Sequence, residues 1–230
     1  MKKWTLFPLL IMIVIVGTGL SRPIYDGVLL YKSPLFPQLH LQSEQLLKYM
    51  IVLPEGDFDE EEATNMIHRL DQLPQTILQE LKNKNIKVVF FTGKLTDQRY
   101  TSYLKGVVPR GYPDSIVWDD VPGIGGSKLV HVKIGHSEYG NGHGSVNLEF
   151  HEVAHSLYRY VYRDPDMDAK LKDAWEKEAK SLFPEQKYFL DYEEEFFAES
   201  FAYYFLSNES RTKLKQNAPH MYALFAEIDE

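Results

Sequence analysis

Apolar and polar positions divide the chain into three stretches of different character. Residues 1–21 open on Lys2 and Lys3, continue as an almost wholly apolar run from Trp4 to Val16, and close on Gly17-Thr18-Gly19-Leu20-Ser21. A charged start, a short apolar centre and small residues at Gly19 and Ser21 make the pattern of a secretory signal. The apolar run is short for a helix that spans a bilayer. The expected location is therefore secreted, extracellular. Left uncleaved, the same segment would be an N-terminal membrane anchor, and Pro23 lies just beyond the expected cleavage site.

Residues 22–144 alternate between short apolar runs and turn-forming residues. A lead-in over 22–45 carries Pro23, Pro34 and Pro37. Ala63, Met66, Ile67 and Leu70 recur at helical spacing within Glu60 to Leu70. The acidic run Asp57 to Glu62 before them reads as a solvated helix start, favoured by the helix dipole; it lacks the oxygen-ligand spacing of a calcium loop. A second helix is expected over Leu73 to Leu81, after a break at Pro74. Ile86 to Phe91, Ser115 to Trp118 and Leu129 to Ile134 are β-branched and aromatic runs that predict strands. The turn-rich Val121-Pro122-Gly123-Ile124-Gly125-Gly126 separates the last two. From residue 145 to 230 helical periodicity dominates, over roughly 145–162, 166–181, 192–206 and 209–228. The expected fold is α+β: a small mixed-sheet part (22–144) followed by a helical part (145–230), one catalytic domain overall, with the active site between the two.

Composition narrows the function. Of 230 residues, 44% are hydrophobic and 25% charged, enough apolar material for a sizeable core. The net charge of −8 disfavours nucleic acid and anionic lipid as partners, because both demand clustered Lys and Arg. The absence of cysteine excludes disulfides, thiolate zinc sites and a cysteine nucleophile.

The segment that carries chemistry is His151-Glu152-Val153-Ala154-His155. On a helix, residues four apart lie one turn above each other on one face. His151 and His155 can therefore grip one metal ion, with Glu152 beside them as a general base. A catalytic zinc site needs a third protein ligand and an open position. A third histidine in the pattern H-E-x-x-H-x-x-G-x-x-H is ruled out by Tyr158 and Val161. A carboxylate from a later helix remains. Glu193 to Phe201 supplies Glu195 and Glu199 on one face, among Phe196, Phe197 and Phe201. A carboxylate entering such a core needs a partner. One of the pair can ligate the metal and the other can accept the free N–H of a ligating histidine. Glu195, wedged against the phenylalanines, is the expected ligand, with Glu199 and Glu194 as alternatives.

These residues resemble a family. His151-Glu152-x-x-His155 followed by Glu195-Phe196-Phe197-Ala198-Glu199 is similar to the anthrax-lethal-factor-like zinc peptidases, a group that includes the small secreted Pro-Pro endopeptidases of Gram-positive bacteria. Trp118-Asp119-Asp120-Val121-Pro122-Gly123, Gly142 to Glu149 and Asn217-Ala218-Pro219 add to the likeness, which covers roughly residues 116–220. The resemblance implies a gluzincin-type fold and one Zn2+ per chain on His151, His155 and Glu195. It also implies Glu152 as the catalytic carboxylate and Tyr188 as the oxyanion donor. The residues alone do not separate Tyr188 from Tyr192, Tyr203 or Tyr204. It further implies a peptide or protein substrate, with proline on both sides of the cut bond and proline-rich surface proteins as candidates. The competing class is a non-catalytic surface or binding protein whose zinc is structural or absent, with His143 as a conceivable fourth ligand. The presence of Glu152, which a closed structural site does not need, argues against it.

Overall fold

The computed structural model describes residues 24–229. The expected signal or anchor segment, 1–21, lies outside them. No helix among the described residues is long and apolar enough to cross a membrane.

The architecture is α+β. Its sheet is built from β1 (Val28–Leu29), β2 (Ile51–Leu53), β3 (Lys87–Phe91), β4 (Gly123–Ile124) and β5 (Leu129–Lys133), in the spatial order β1-β2-β3-β5-β4. β2, β3 and β5 run parallel, while β1 and β4 close the two ends antiparallel. The parallel strands are apolar runs, as expected where both faces are covered. Between β2 and β3 lie α2 (Glu60–Asp71) and α3 (Gln75–Asn83), preceded by the single turn α1 (Glu44–Leu47). Asp59 caps α2 by accepting from Glu62 N–H at 3.0 Å. The remaining helices are α4 (Leu148–Leu157), α5 (Pro165–Leu182), α6 (Lys187–Asp191), α7 (Glu193–Leu206), α8 (Asn208–Asn217) and α9 (Pro219–Asp229). One apolar cluster, from Leu30 in the lead-in to Phe225 in α9, fills the space between sheet and helices.

Three expectations change. Ser115–Trp118 is not a strand but a run of turns. Asp119 accepts from Gly106 N–H at 2.8 Å and Trp118 N–H donates to the Val107 carbonyl at 2.9 Å, which ties the segment to the preceding loop instead of to the sheet. The helix expected over 209–228 is two helices, because Pro219 has no N–H to offer and starts α9 instead. Glu178 of α5, 4% exposed, then receives the backbone N–H groups of His220 and Met221. The helix expected over 145–162 begins at Leu148, where Asn147 accepts from Phe150 N–H. It ends at Leu157 in a π-helical turn, Tyr158–Tyr162.

The sheet face away from the main cluster is thin, with Val52, Val89 and Leu129 covered by Tyr25 and Leu29. His131 of β5 is 1% exposed, its ring stacked on Tyr100, its Nδ1 without a hydrogen-bond partner. Burial pushes its pKa down to about 4. Above roughly pH 6.5 the ring is neutral in folded and unfolded chains alike, so it contributes no pH dependence there. As the pH falls from that value the unfolded chain takes the proton first, and stability is lost until the folded ring also titrates. The loss by pH 4 should reach about 3 kcal/mol. Urea unfolding at pH 7 and pH 4 checks it: His131→Leu should lose less stability on acidification than the parent. An identical loss in both would disprove the assignment.

Candidate metal centre and active-site cleft

α4 packs against α7, and this contact assembles the site. His151 and His155, one turn apart, face Glu195 in the first turn of α7. His151 Nε2 lies 3.2 Å from Glu195 Oε2, His155 Nε2 lies 3.2 Å from the same oxygen, and the two Nε2 atoms are 3.1 Å apart. His151 and Glu195 are buried at 7% and 6% exposure. Glu199, one turn further along α7, accepts from His151 Nδ1 at 3.0 Å and from Val146 N–H at 2.8 Å. An ionised carboxylate only accepts, so Nδ1 carries the hydrogen and the Nε2 lone pair of a neutral ring points inward. Two ring nitrogens and a carboxylate oxygen crowded about one point, with a carboxylate fixing one tautomer from behind, form a donor set that fits a zinc ion.

The charges reinforce one another. Burial alone would raise the Glu195 carboxyl, but the imidazoles of His155 and His151 hold it well below the usual carboxylate range. Burial alone would lower His151, but its hydrogen bonds to Glu195 and Glu199 raise it well above the ordinary histidine value. Burial pushes the Glu152 carboxyl up, against the pull of His151 and His155. Tyr188 O–H donates to Glu195 Oε1 at 2.8 Å, and burial together with that carboxylate pushes its pKa up, which keeps the hydroxyl a donor. Tyr112, whose ring meets Tyr188 edge-on, is pushed up to about 12, chiefly by burial.

A cavity of about 420 Å³ lies over these groups. β4 and the glycines after it form one rim. A Cβ on Gly125 would stand 2.1 Å from the Glu152 carbonyl oxygen, so only glycine lets the strand run this close to α4. The Gly125 backbone lies close enough to the Glu152 carboxylate to favour its charged form. The Gly140–Gly144 loop supplies part of the opposite wall through His143 and Gly144. His143 lines the cavity, but both its ring nitrogens serve the loop: Nε2 contacts the His136 carbonyl at 2.7 Å and Nδ1 accepts from Ser145 N–H at 3.2 Å. It stands outside the metal-binding group formed by the described residues.

His151, Glu152, His155 and Glu195, expected from motif and spacing, and Tyr188, implied by the resemblance, all line one cavity. Tyr203 and Tyr204 pack elsewhere, in the apolar cluster. Three neighbours escape the sequence reading. Arg110 reaches across to Glu194 at 2.6 Å and Glu195 at 3.5 Å, and its guanidinium stacks on Tyr192. Arg69 of α2 pairs with the fully buried Glu149 of α4 and with Ser137. Gly111 lies against Tyr188, whose ring atoms would be 2.8 Å from a Cβ there. All three depend on contacts across long sequence separations, for which one sequence carries no signal.

Comparison with known proteins places the chain. Residues 40–228 match the family described as "Anthrax toxin lethal factor, N- and C-terminal domain", and the chain belongs to that family. It is similar to the Pro-Pro endopeptidase of Clostridioides difficile (strain 630), 42% identical over 188 residues, 81% of this chain and 84% of that protein. The Pro-Pro endopeptidase of Paenibacillus alvei is 37% identical over 197 residues, 85% of this chain and 90% of that protein. The solved structure of the Pro-Pro endopeptidase PPEP-2 from Paenibacillus alvei superposes with a TM-score of 0.73 at 37% identity, covering 78% of this chain and 97% of that one.

Proposed function

We propose that the protein is a secreted zinc-dependent endopeptidase that cuts peptide bonds flanked by proline. The observation that carries the reading is the convergence of His151 Nε2, His155 Nε2 and Glu195 Oε2 beside Glu152 in an open cavity. Membership of the lethal factor family and similarity to two Pro-Pro endopeptidases support it.

His151, His155 and Glu195 would hold the ion, and Glu199 would keep the His151 ring in its ligating tautomer. A zinc ion bound there supplies Lewis acidity, polarising a carbonyl and acidifying water. Glu152 takes the proton from the attacking water at its carboxylate and passes it to the leaving amine. Tyr188 gives up its hydrogen bond to Glu195 and turns its O–H to the oxygen of the tetrahedral intermediate. β4 stands at the end of the sheet, so its outer edge can pair with an extended peptide. Trp118, Tyr112 and Phe189 in the walls offer flat apolar surface to proline rings. The N-terminal segment, read as a signal, delivers the hydrolase outside the cell.

Mass spectrometry of a peptide library tests activity and preference together. Cleavage enriched in proline on both sides of the cut, abolished by a chelator and restored by zinc, is expected. Cleavage that survives complete removal of metal would exclude the zinc mechanism, and cuts without proline enrichment would exclude the proposed specificity.

A further inference from the structure

The parallel strands β2, β3 and β5 start at one end of the sheet, and the antiparallel β1 and β4 finish there. That end carries a run of cations joined by contacts. Lys32 Nζ lies over the Tyr31 ring at 5.5 Å, the Tyr31 and Tyr49 ring centres are 5.2 Å apart, and Lys48 Nζ lies over Tyr49 at 5.4 Å. Lys87 Nζ donates to the Tyr49 carbonyl at 2.7 Å, and the Lys87 N–H donates to the Lys128 carbonyl at 2.9 Å. Lys128 Nζ lies over the Tyr160 ring at 5.9 Å. The Arg159 guanidinium is 5.8 Å from the same ring and donates to the Gly126 carbonyl at 3.0 Å.

Among the described residues only Glu44 is ion-paired with any of these five cations, at 3.7 Å from Lys48. Lys32, Lys128 and Arg159 are exposed. On a chain of net charge −8 the stripe is a local reversal of sign. The tyrosine rings hold the cations in place, so their charge is arranged in advance of any partner. The stripe crosses all five strands, four spacings of about 4.8 Å, or about 19 Å. An extended peptide rises about 3.3 Å per residue, so about six residues cover it. The Arg159 end adjoins the cleft, since Gly126 and His155 line the cavity over the metal-binding group. A peptide paired with the outer edge of β4 in the antiparallel sense, as β5 pairs on the inner edge, has its N-terminal half beside Gly126. Chain upstream of the cut bond therefore leaves the cleft over Arg159 and onto the stripe.

We infer that the stripe of Lys32, Lys48, Lys87, Lys128 and Arg159 is a docking surface for an acidic segment of the protein substrate, N-terminal to the cut bond and outside the cleft. This rests on the peptidase reading above and adds to it the chemical class of substrate that the enzyme selects at a distance from the bond.

Cleavage kinetics on the full mature chain test it, with peptides that share one centre. The first carries an extension of about six Asp and Glu residues on the N-terminal side. The second carries Asn and Gln there, and the third carries the acidic extension on the C-terminal side. At low ionic strength kcat/KM for the first should exceed that for the second about tenfold, because exposed ion pairs are weak singly and add over several. The gain should lie in KM with kcat unchanged, as for uniform binding, and should fade as salt is added. The third should show no gain. Lys32→Glu combined with Lys128→Glu, at two exposed positions outside the cleft, should cut the uncharged peptide at the wild-type rate, which also reports folding, and should lose most of the gain. If that variant does not fold, Lys32→Gln with Lys128→Gln replaces it under the same criteria. No gain in wild type, an equal gain from the C-terminal side, or a full gain in the folded variant overturns the inference. Sedimentation of wild type, but not of the variant, with phosphatidylglycerol vesicles, together with no gain from acidic peptides, assigns the stripe to a lipid surface and overturns it as well. Failure of wild type to cut any peptide overturns the peptidase reading instead. Fluorescence anisotropy of the labelled acidic peptide on wild type and variant, which needs no turnover, then decides the stripe separately.

Discussion

Glu152→Gln should fold, retain its zinc and lose peptide hydrolysis by about two to four orders of magnitude, the span removed with a general acid–base group. The substitution keeps size and shape and changes only whether the side chain can take a proton. The three atoms expected to hold the metal belong to His151, His155 and Glu195, so ligation is untouched. The surroundings of Glu152 suit a base. Burial raises its carboxyl, and the nearby imidazoles pull in the opposite direction. Zinc analysis, circular dichroism and timed peptide cleavage by mass spectrometry check the three parts of the expectation. A variant that cleaves within tenfold of wild type would remove Glu152 from the mechanism.

What was legible in the sequence follows from distance along the chain. A four-residue step on a helix fixes a common face, so His151 and His155 could be paired, and so could Glu195 and Glu199. In the fold Glu195 Oε2 meets His151 Nε2 and Glu199 Oε2 meets His151 Nδ1, the division of labour that spacing permits. The helical remainder and the strands β3 and β5 were legible from periodicity, whereas the short β1, β2 and β4 were not. The strand expected at Ser115–Trp118 was not real, because propensity is blind to Asp119 accepting from Gly106 and Trp118 reaching back to Val107. The break at Ala218 was hidden for a related reason. α9 can start at Pro219 because Glu178, 42 residues earlier, accepts the N–H of His220. Tyr188 was separable from its neighbours only by family resemblance. Its hydrogen bond to Glu195 depends on how α6 docks against the first turn of α7, a tertiary fact.

Glu195→Ala should bind zinc far more weakly than wild type. Substitution of a group that merely orients a ligand costs roughly 10–100-fold in metal affinity; Glu199→Gln should fall in that range, and removal of a direct ligand should exceed it. The variant keeps both imidazoles but takes away the only carboxylate oxygen that touches both Nε2 atoms among the described residues. Tyr188 and Arg110 also lose a partner, at 2.8 and 3.5 Å. Thermal unfolding must therefore accompany the zinc measurement, so that loss of metal is read on folded protein. Competition with a chromogenic chelator gives the affinities, and elemental analysis after gel filtration gives the stoichiometry. Full zinc occupancy in Glu195→Ala with wild-type affinity would transfer the third-ligand role to another carboxylate. The neighbours are poorly placed to take it. Glu199 has one oxygen on the Val146 amide and the other on His151 Nδ1, and Glu194 is held by Arg110 on the outer wall. Either would have to break an existing contact to reach the two imidazoles, whereas Glu195 already points there.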